Sequence, residues 1–133
     1  MNIIFAKDLS GVTEDMLKGF FVGWLNPPNT DAFIKILQGS YCCRLAVDAD
    51  AGRAVGFVNA ISDGVLAAYI PLLEVLPEYQ GRGIGGELLR LILDDLQGFY
   101  MVDLLCDADK QGFYAKHGMH RACGMMLRNR RYD

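Results

Sequence analysis

A glycine-rich segment between an apolar strand pattern and an apolar helix pattern constrains the fold of this chain more than any other feature. Residues 81–86 read GRGIGG, with four glycines and one arginine. Glycine costs a helix roughly 1 kcal/mol relative to alanine, so its concentration directly before a helix needs a physical reason. Backbone without side chains can come very close to an anion at a helix N-terminus. The segment therefore predicts a phosphate-binding loop.

Apolar periodicity places this loop inside one domain of the α/β (α+β) class that spans residues 1–133. Strands are predicted at 2–6, 40–48, 54–61, 65–76, 101–106 and 119–128, helices at 12–25, at 30–39 and from Ile84 to Gly98, and a short helix or turn at 108–118. The order β-α-α-β-β-β-α-β-α-β predicts a mixed, mostly antiparallel sheet of about six strands with flanking helices. Pro71 cannot donate to a ladder, so a bulge or a bend is expected in the fourth strand.

One interpretation of the loop is a dinucleotide-binding site. Gly81, Gly83 and Gly86 satisfy the pattern G-x-G-x-x-G, and Asp107 lies about 20 residues further on, where such a fold has its ribose-binding acid. Two observations oppose this interpretation. Residues 76–80 separate the strand from the first glycine, whereas the dinucleotide fold brings the two together. Only 26 residues follow Asp107, too few for further β-α-β units of about 30 residues each.

A second interpretation rests on a longer motif. Residues 80–85, QGRGIG, match the pattern Q/R-x-x-G-x-G/A, and VLPEY precedes them. This combination resembles the coenzyme A pyrophosphate motif of the GNAT superfamily of N-acyltransferases. The long fourth strand, the segment VLPEYQGRGIGGELL and the segment FYAKHGM occur in the order and at the spacing of that family, so the resemblance covers most of the chain. The segment SDGVLAAYIPLLEVLPEYQG is also similar to the small arylalkylamine-type branch.

The resemblance implies an N-acetyltransferase that moves the acetyl group of acetyl-CoA to a primary amine. The likeness to the arylalkylamine-type branch suggests a small-molecule amine, while aminoglycosides, polyamines, amino acids and protein N-termini stay open as acceptors. The amine attacks directly, a tetrahedral intermediate forms, and CoA leaves. In the family, the central strand splays from the next parallel strand, and the pantetheine arm enters the gap. The region before Ser40 usually shapes the acceptor pocket. The residues that the resemblance assigns to acetyl-CoA are Leu73, Glu74, Val75, Gly81, Arg82, Gly83, Ile84, Gly85, Gly86, Asp107 and Tyr114.

The resemblance also assigns catalytic roles. Tyr114 matches the family tyrosine that protonates the departing thiolate, and a phenol with a pKa near 10 is protonated and ready to act as an acid at neutral pH. The general base cannot be read from the sequence. Glu74 lies on the right strand and is a candidate base, although strand alternation can point it away from the cleft. The other candidates are Asp63, Asp103 and Tyr69.

For Arg82, a charge-assisted contact to the pyrophosphate and a solvent-facing side chain remain equally open. His117 is expected to be exposed to solvent beside Lys116.

Composition and charge argue against several classes of function. The net charge is −3 and the pI is about 5.3, whereas a nucleic-acid-binding protein normally presents a basic face. No apolar run approaches the ~18 residues of a membrane span, and the N-terminus lacks the pattern of a signal peptide. A cytoplasmic monomer or homodimer without nucleic-acid or membrane partners is expected. The four cysteines lack metal-binding spacing, so no metal is expected, and the thiols are predicted to be buried and reduced.

Two other functions stay open at this point. A CoA-binding regulatory module with little or no catalysis would suit a site that has no usable base. A dinucleotide-linked oxidoreductase would use the glycine loop to bind the pyrophosphate of a dinucleotide. This function is less favoured than the CoA-binding module.

Overall fold

A single sheet of five strands organises the protein, whose computed structural model describes residues 1–129, 131 and 132. The strands, in spatial as well as sequence order, are β1 (Ile3–Ala6), β2 (Cys42–Asp48), β3 (Arg53–Ser62), β4 (Ala67–Val75) and β5 (Met101–Asp103). The helices are α1 (Thr30–Gly39), α2 (Ile84–Asp95) and α3 (Gln111–Ala115). Short 3₁₀ turns cover Asp15–Leu17, Pro77–Tyr79 and Ala108–Lys110. Strands β1 to β4 pair antiparallel and β5 pairs parallel to β4, which confirms the predicted mixed sheet.

The sheet is covered on both faces. Helix α2 covers one face, where its apolar stripe of Ile84, Leu88 and Ile92 is buried. Helix α1 and the irregular segment 7–29 cover the other. We call these the α2 face and the α1 face. Side chains of neighbouring strand residues point to opposite faces of the sheet. On β2, Cys42 packs toward the α2 face and Cys43 toward the α1 face, as strand alternation predicts.

A half-buried ion pair fixes the C-terminal end of α2 on the sheet. Both oxygens of Asp95 accept hydrogen bonds of 2.7 Å from the guanidinium of Arg44 on β2. Because this contact is bidentate, it sets the orientation of the helix as well as its distance from β2.

The predicted irregularity at Pro71 is present. Asn59 pairs with Leu72 and Ile61 pairs with Tyr69, so a single residue of β3 stands opposite both Ile70 and Pro71. This two-against-one arrangement is a β-bulge, and it accommodates a residue that has no amide to donate.

The predicted helix over residues 12–25 is wrong. Only Asp15–Leu17 is helical, as a single 3₁₀ turn. Gly19 and Gly23 have φ of 95° and 88°, and Phe21 has φ of 63°, which no right-handed helix allows. The aromatic spacing that resembled a helical stripe instead places Phe20 and Phe21 in one buried cluster with aromatic residues of α1 and β3.

The predicted sixth strand over residues 119–128 is also wrong. Residues 119–129 form no ladder with the described sheet. The segment nevertheless lies close to the residues that follow β5. A Cβ placed on Gly124 would lie only 2.6 Å from Leu105 Cδ2. Strand β5 is shorter than predicted and ends at Asp103.

Candidate active site

The edge of β4 is uncovered beyond its bulge. Strand β5 pairs with β4 only between Ala67 and Tyr69, and within the described residues no strand lies beside the rest of β4 on that side. The amide of Leu76 donates to Val55 on β3. Because backbone groups alternate in direction along a strand, those of Leu73 and Val75 face the uncovered edge. The sequence predicted such a gap between these two strands through its family resemblance.

Gln80 partly covers this edge. Its side-chain amide donates to the carbonyl of Val75 at 2.9 Å. The backbone of Glu74, by the same alternation, faces β3 rather than the gap. Of the three residues that the sequence places along the pantetheine arm, two therefore present their backbone to the uncovered edge.

Two of the glycines give the loop its shape. Gly81 and Gly83 have φ of 76° and 82°, a conformation that favours glycine, and Gly83 is the N-cap of α2. A Cβ on either would project into open space. Gly83 has no side chain that could cap the helix, and among the residues that the structure describes no other side chain does so. The first-turn amides of Ile84, Gly85 and Gly86 therefore remain available at the positive end of the helix dipole. This arrangement suits an anion.

The other two glycines lie in the first turn of α2, beside β4 and α3. A Cβ on Gly85 would lie 3.5 Å from the Val75 side chain and 3.8 Å from the ring of Phe113, and a Cβ on Gly86 would lie 3.8 Å from the ring of His117. These are ordinary van der Waals distances, so neither position lacks room for a Cβ. The sequence interpretation gave one purpose to all four glycines, whereas the backbone favours glycine only at Gly81 and Gly83.

Arg82, within the loop, is linked through Tyr79 to Asp48 on β2. The guanidinium lies 5.7 Å from the centroid of the Tyr79 ring, within cation–π range. The Tyr79 hydroxyl donates to Asp48 Oδ2 at 2.8 Å, and Asp48 also accepts from the amides of Asp50 and Ala51. The hydrogen bond from Tyr79 lowers the pKa of Asp48 and raises the pKa of the phenol. Sequence reasoning missed both partners, although Tyr79 lies within the quoted motif.

Tyr114 lies half-buried on α3, with its ring 5.0 Å from that of Phe113. It lines a cleft of about 1320 Å³ together with Tyr69, Asp103 and Cys106. Burial, and to a smaller extent Cys106, raises the pKa of Tyr114. The phenol therefore keeps its proton at neutral pH, as a general acid requires.

Two of the candidate bases are occupied by backbone amides. Glu74 accepts from Phe21 at 2.8 Å and from Val22 at 3.2 Å, on the α1 face. Asp63 accepts from three successive amides of the β3–β4 turn, which lower its pKa. Asp103 and Tyr69 line the cleft with Tyr114. Asp107 is exposed, and its carbonyl accepts from Lys110 at 2.9 Å.

The histidine and cysteine expectations need correction in part. His117 is half-buried rather than exposed, because its ring packs 5.5 Å from that of Phe113. Cys123 is exposed, whereas burial raises the pKa of Cys42 to about 11 and also raises that of Cys43. Thiolates are therefore disfavoured at the two β2 cysteines. The described residues contain no group of three or more His, Cys, Asp or Glu side chains arranged to hold a metal.

Comparison with known proteins gives the class of the protein. The model of the acetyltransferase (GNAT) family matches residues 9–119, most of the chain. The chain therefore belongs to the GNAT acetyltransferase family, and the predicted resemblance is confirmed. Across the described residues, no helix combines the length and apolarity that crossing a membrane requires.

Solved structures agree with this assignment. A "putative acetyltransferase" of Deinococcus radiodurans R1 is 48% identical with a TM-score of 0.91, covering 95% of this chain and 87% of that one. A GNAT family acetyltransferase of Streptococcus pneumoniae TIGR4 is 28% identical with a TM-score of 0.74, covering 97% and 99%.

Among curated proteins, an uncharacterised N-acetyltransferase of Pyropia yezoensis, ycf52, is 29% identical over 73% of this chain. The chain spans 58% of the length of that relative, and 37% of the length of a second, from Gibberella zeae.

Proposed function

We propose that this protein is an N-acetyltransferase that moves the acetyl group of acetyl-CoA to the primary amine of a small molecule. The observation that carries the proposal is the uncovered edge of β4, which is followed, after the short segment 76–80, by a glycine loop with free helix amides. A cofactor with an amide-containing arm and a pyrophosphate needs both features side by side. The edge offers strand-like hydrogen bonds to the arm, and the loop offers amides to the phosphates.

The proposed reaction uses backbone groups of this edge and the side chain of Tyr114, which lines the neighbouring cleft with Tyr69 of the same strand. The amine nitrogen forms a bond to the thioester carbonyl carbon, and the carbon–sulfur bond then breaks. A backbone amide at the uncovered edge, from Leu73 or Val75, would polarise the carbonyl oxygen. Tyr114 would give its phenolic proton to the departing sulfur, and its raised pKa keeps that proton in place until then.

The proton lost by the amine needs a separate acceptor. Glu74 is held by two amides on the α1 face, so it is poorly suited to this task. Asp103 lines the same cleft as Tyr114 and is the better candidate, acting directly or through a water molecule. The same engagement of Glu74 favours the alternative function, a CoA-binding module with little catalysis.

Cofactor choice is tested by thermal unfolding. A ligand present at 100 times its dissociation constant stabilises the folded state by about 2.7 kcal/mol. CoA and acetyl-CoA should raise the melting temperature, whereas NAD should have little effect. Stabilisation by NAD and none by CoA would contradict the proposal and favour an oxidoreductase.

Activity is tested by a panel of primary amines with acetyl-CoA, in which free thiol release is followed and the N-acetyl product is identified by mass spectrometry. The panel should contain alkylamines, arylalkylamines, polyamines, amino acids, aminoglycosides and a peptide N-terminus. The amine-free rate is subtracted. Binding of CoA without turnover of any amine would instead support the regulatory module.

A further inference from the structure

The turn at residues 19–25 is held in an unfavourable backbone conformation. Within the part of the chain that the structure describes, Phe21 is the only residue other than glycine with a positive φ, at 63°. Gly19 and Gly23 flank it with φ of 95° and 88°. A left-handed aromatic residue persists only where its surroundings stabilise it.

Two contacts stabilise the turn. The Phe21 ring is buried on the α1 face, 5.2 Å from the ring of Phe33. The carboxylate of Glu74 on β4 accepts one amide with each oxygen, from Phe21 at 2.8 Å and from Val22 at 3.2 Å. Bonds from amides to an ionised carboxylate are roughly twice as strong as neutral ones. Glu74 therefore ties a turn more than fifty residues away in sequence to the central strand.

Through Glu74 the turn is joined to the strand that carries the proposed reaction site. Glu74 lies between Leu73 and Val75, whose backbone groups face the uncovered edge. On its outer side the turn presents three apolar side chains to solvent: Val22, Trp24 and Leu25 are 55%, 40% and 92% exposed. Exposed apolar side chains grouped on one turn are typical of a binding surface.

We infer that Glu74 is a positioning residue, which holds the 19–25 turn as an apolar wall of the acceptor site and does not act as the general base. The inference rests on the proposed function for the identity of the site, but not for the contact itself. The wall favours an amine whose body is an alkyl or aryl group. Such a body would cover apolar surface that is exposed in the free protein.

Glu74→Gln is the central variant. Glutamine keeps the length of the side chain, but it has one acceptor oxygen, and its NH₂ group would meet an amide N–H. Gly23→Ala is the second variant, because a side chain at φ 88° strains the same turn without touching Glu74. Gly52→Ala is the matched control, with φ 67° and equally open space in the β2–β3 turn.

The first readout needs no activity. Trp24 is the single tryptophan, and its ring packs 5.1 Å from that of Phe21. Quenching of its fluorescence by acrylamide should increase in Glu74→Gln and in Gly23→Ala, and should not change in Gly52→Ala. Unchanged quenching in a folded Glu74→Gln protein, with circular dichroism as the check, would overturn the inference.

The second readout is kinetic, with an alkylamine or arylalkylamine that the amine panel shows to be a substrate. Both turn variants should raise the acceptor KM about ten-fold or more and leave kcat within about three-fold. The fall of kcat toward low pH, the acidic limb of its pH profile, should be retained. A general base would instead lower kcat by roughly 10²–10⁴ in Glu74→Gln and remove that limb, with Gly23→Ala unaffected. That second pattern would overturn the inference. If no amine reacts, the proposed function fails, and the fluorescence result alone decides whether Glu74 holds the turn.

Discussion

The two faces of the sheet are built in different ways. The α2 face consists of a twelve-residue helix, a glycine turn and strand residues that follow one another closely in the chain. The α1 face combines a ten-residue helix with an irregular segment that is held by contacts distant in sequence, such as the one between Glu74 and Phe21. We expect the α2 face to recognise the invariant cofactor and the α1 face to recognise the acceptor. Regular elements repeat across a family, whereas an irregular segment can change with the substrate.

The largest effect is expected at Tyr114, on the α2 face. Tyr114→Phe should lower kcat by roughly 10²–10⁴, because the ring stays and the proton is lost. The dissociation constant of acetyl-CoA and the acceptor KM should stay near their wild-type values. Since burial raises the pKa of this phenol above its ordinary value of 10, deprotonation of Tyr114 should inactivate the enzyme only above about pH 10.

Tyr41→Phe is the control for this variant, because Tyr41 is exposed and precedes β2. Steady-state kinetics and isothermal titration with acetyl-CoA provide the measurements. If Tyr114→Phe turned over within about two-fold of the wild type, Tyr114 would not be the general acid.

The next largest effect is expected at the glycine turn. Gly83→Val places a branched side chain at φ 82° beside the free amides of α2. CoA affinity should fall about 100-fold, equivalent to about 2.7 kcal/mol, and the melting temperature should also fall.

Gly52→Val separates backbone strain from a blocked phosphate site, because it introduces similar strain at φ 67° in a turn outside the proposed site. This control should lose stability and bind CoA normally in a titration. If a folded Gly83→Val protein bound CoA with the affinity of the wild type, the α2 face would not hold the pyrophosphate.

A smaller effect is expected where a tyrosine links the glycine loop to the β2–β3 turn. Tyr79→Phe removes the hydroxyl that donates to Asp48 at 2.8 Å, while the ring beneath Arg82 remains. The bond lies within the protein, so its loss weakens CoA binding only by loosening the loop, by up to about five-fold for one hydrogen bond. CoA should bind more weakly by up to that factor, and pantetheine, which lacks the pyrophosphate, should bind unchanged. An equal loss for both ligands would place the effect outside the loop.

The smallest effect is expected in the pH dependence of stability. Hydrogen bonds, first that from Tyr79, lower the folded-state pKa of Asp48 below its ordinary value of 3.8. The resulting stabilisation is complete above the unfolded pKa and is lost as pH falls through the folded pKa. Below about pH 4, the melting temperature of Asp48→Asn should therefore fall less steeply than that of the wild type.

Much of the α2 face could be predicted from sequence because its determinants are local. The strand, the glycine turn and the apolar stripe of α2 follow each other within about thirty residues. The bulge in β4 is also predicted locally, because Pro71 has no amide to donate. What could not be read was which of the four glycines the backbone favours. Gly81 and Gly83 have a positive φ, whereas Gly85 and Gly86 are helical and have room for a Cβ.

The α1 face was predicted less well for the opposite reason. Phe20, Phe21 and Trp24 recur at a spacing that suits a helix. The rings of Phe20 and Phe21 are instead positioned by the aromatic residues of α1 and β3, and Trp24 packs on Phe21. The left-handed Phe21 depends on Glu74, and no local pattern identifies that partner. At the other end of the chain, residues 119–128 have strand-like composition, but the neighbouring strand ends at Asp103 and gives them no ladder to join.

The uncovered edge of β4 also bears on the solution behaviour of the protein. A strand edge with free amides and carbonyls is a template for pairing with the same edge of another molecule, which leads to aggregation. Gln80 blocks one carbonyl, and the bulge at Pro71 interrupts the edge, which limits that pairing. A bound cofactor arm would complete the protection, so CoA should slow aggregation in concentrated stocks more than its effect on unfolding explains. Light scattering of protein held well below its melting temperature, with and without CoA, measures this directly.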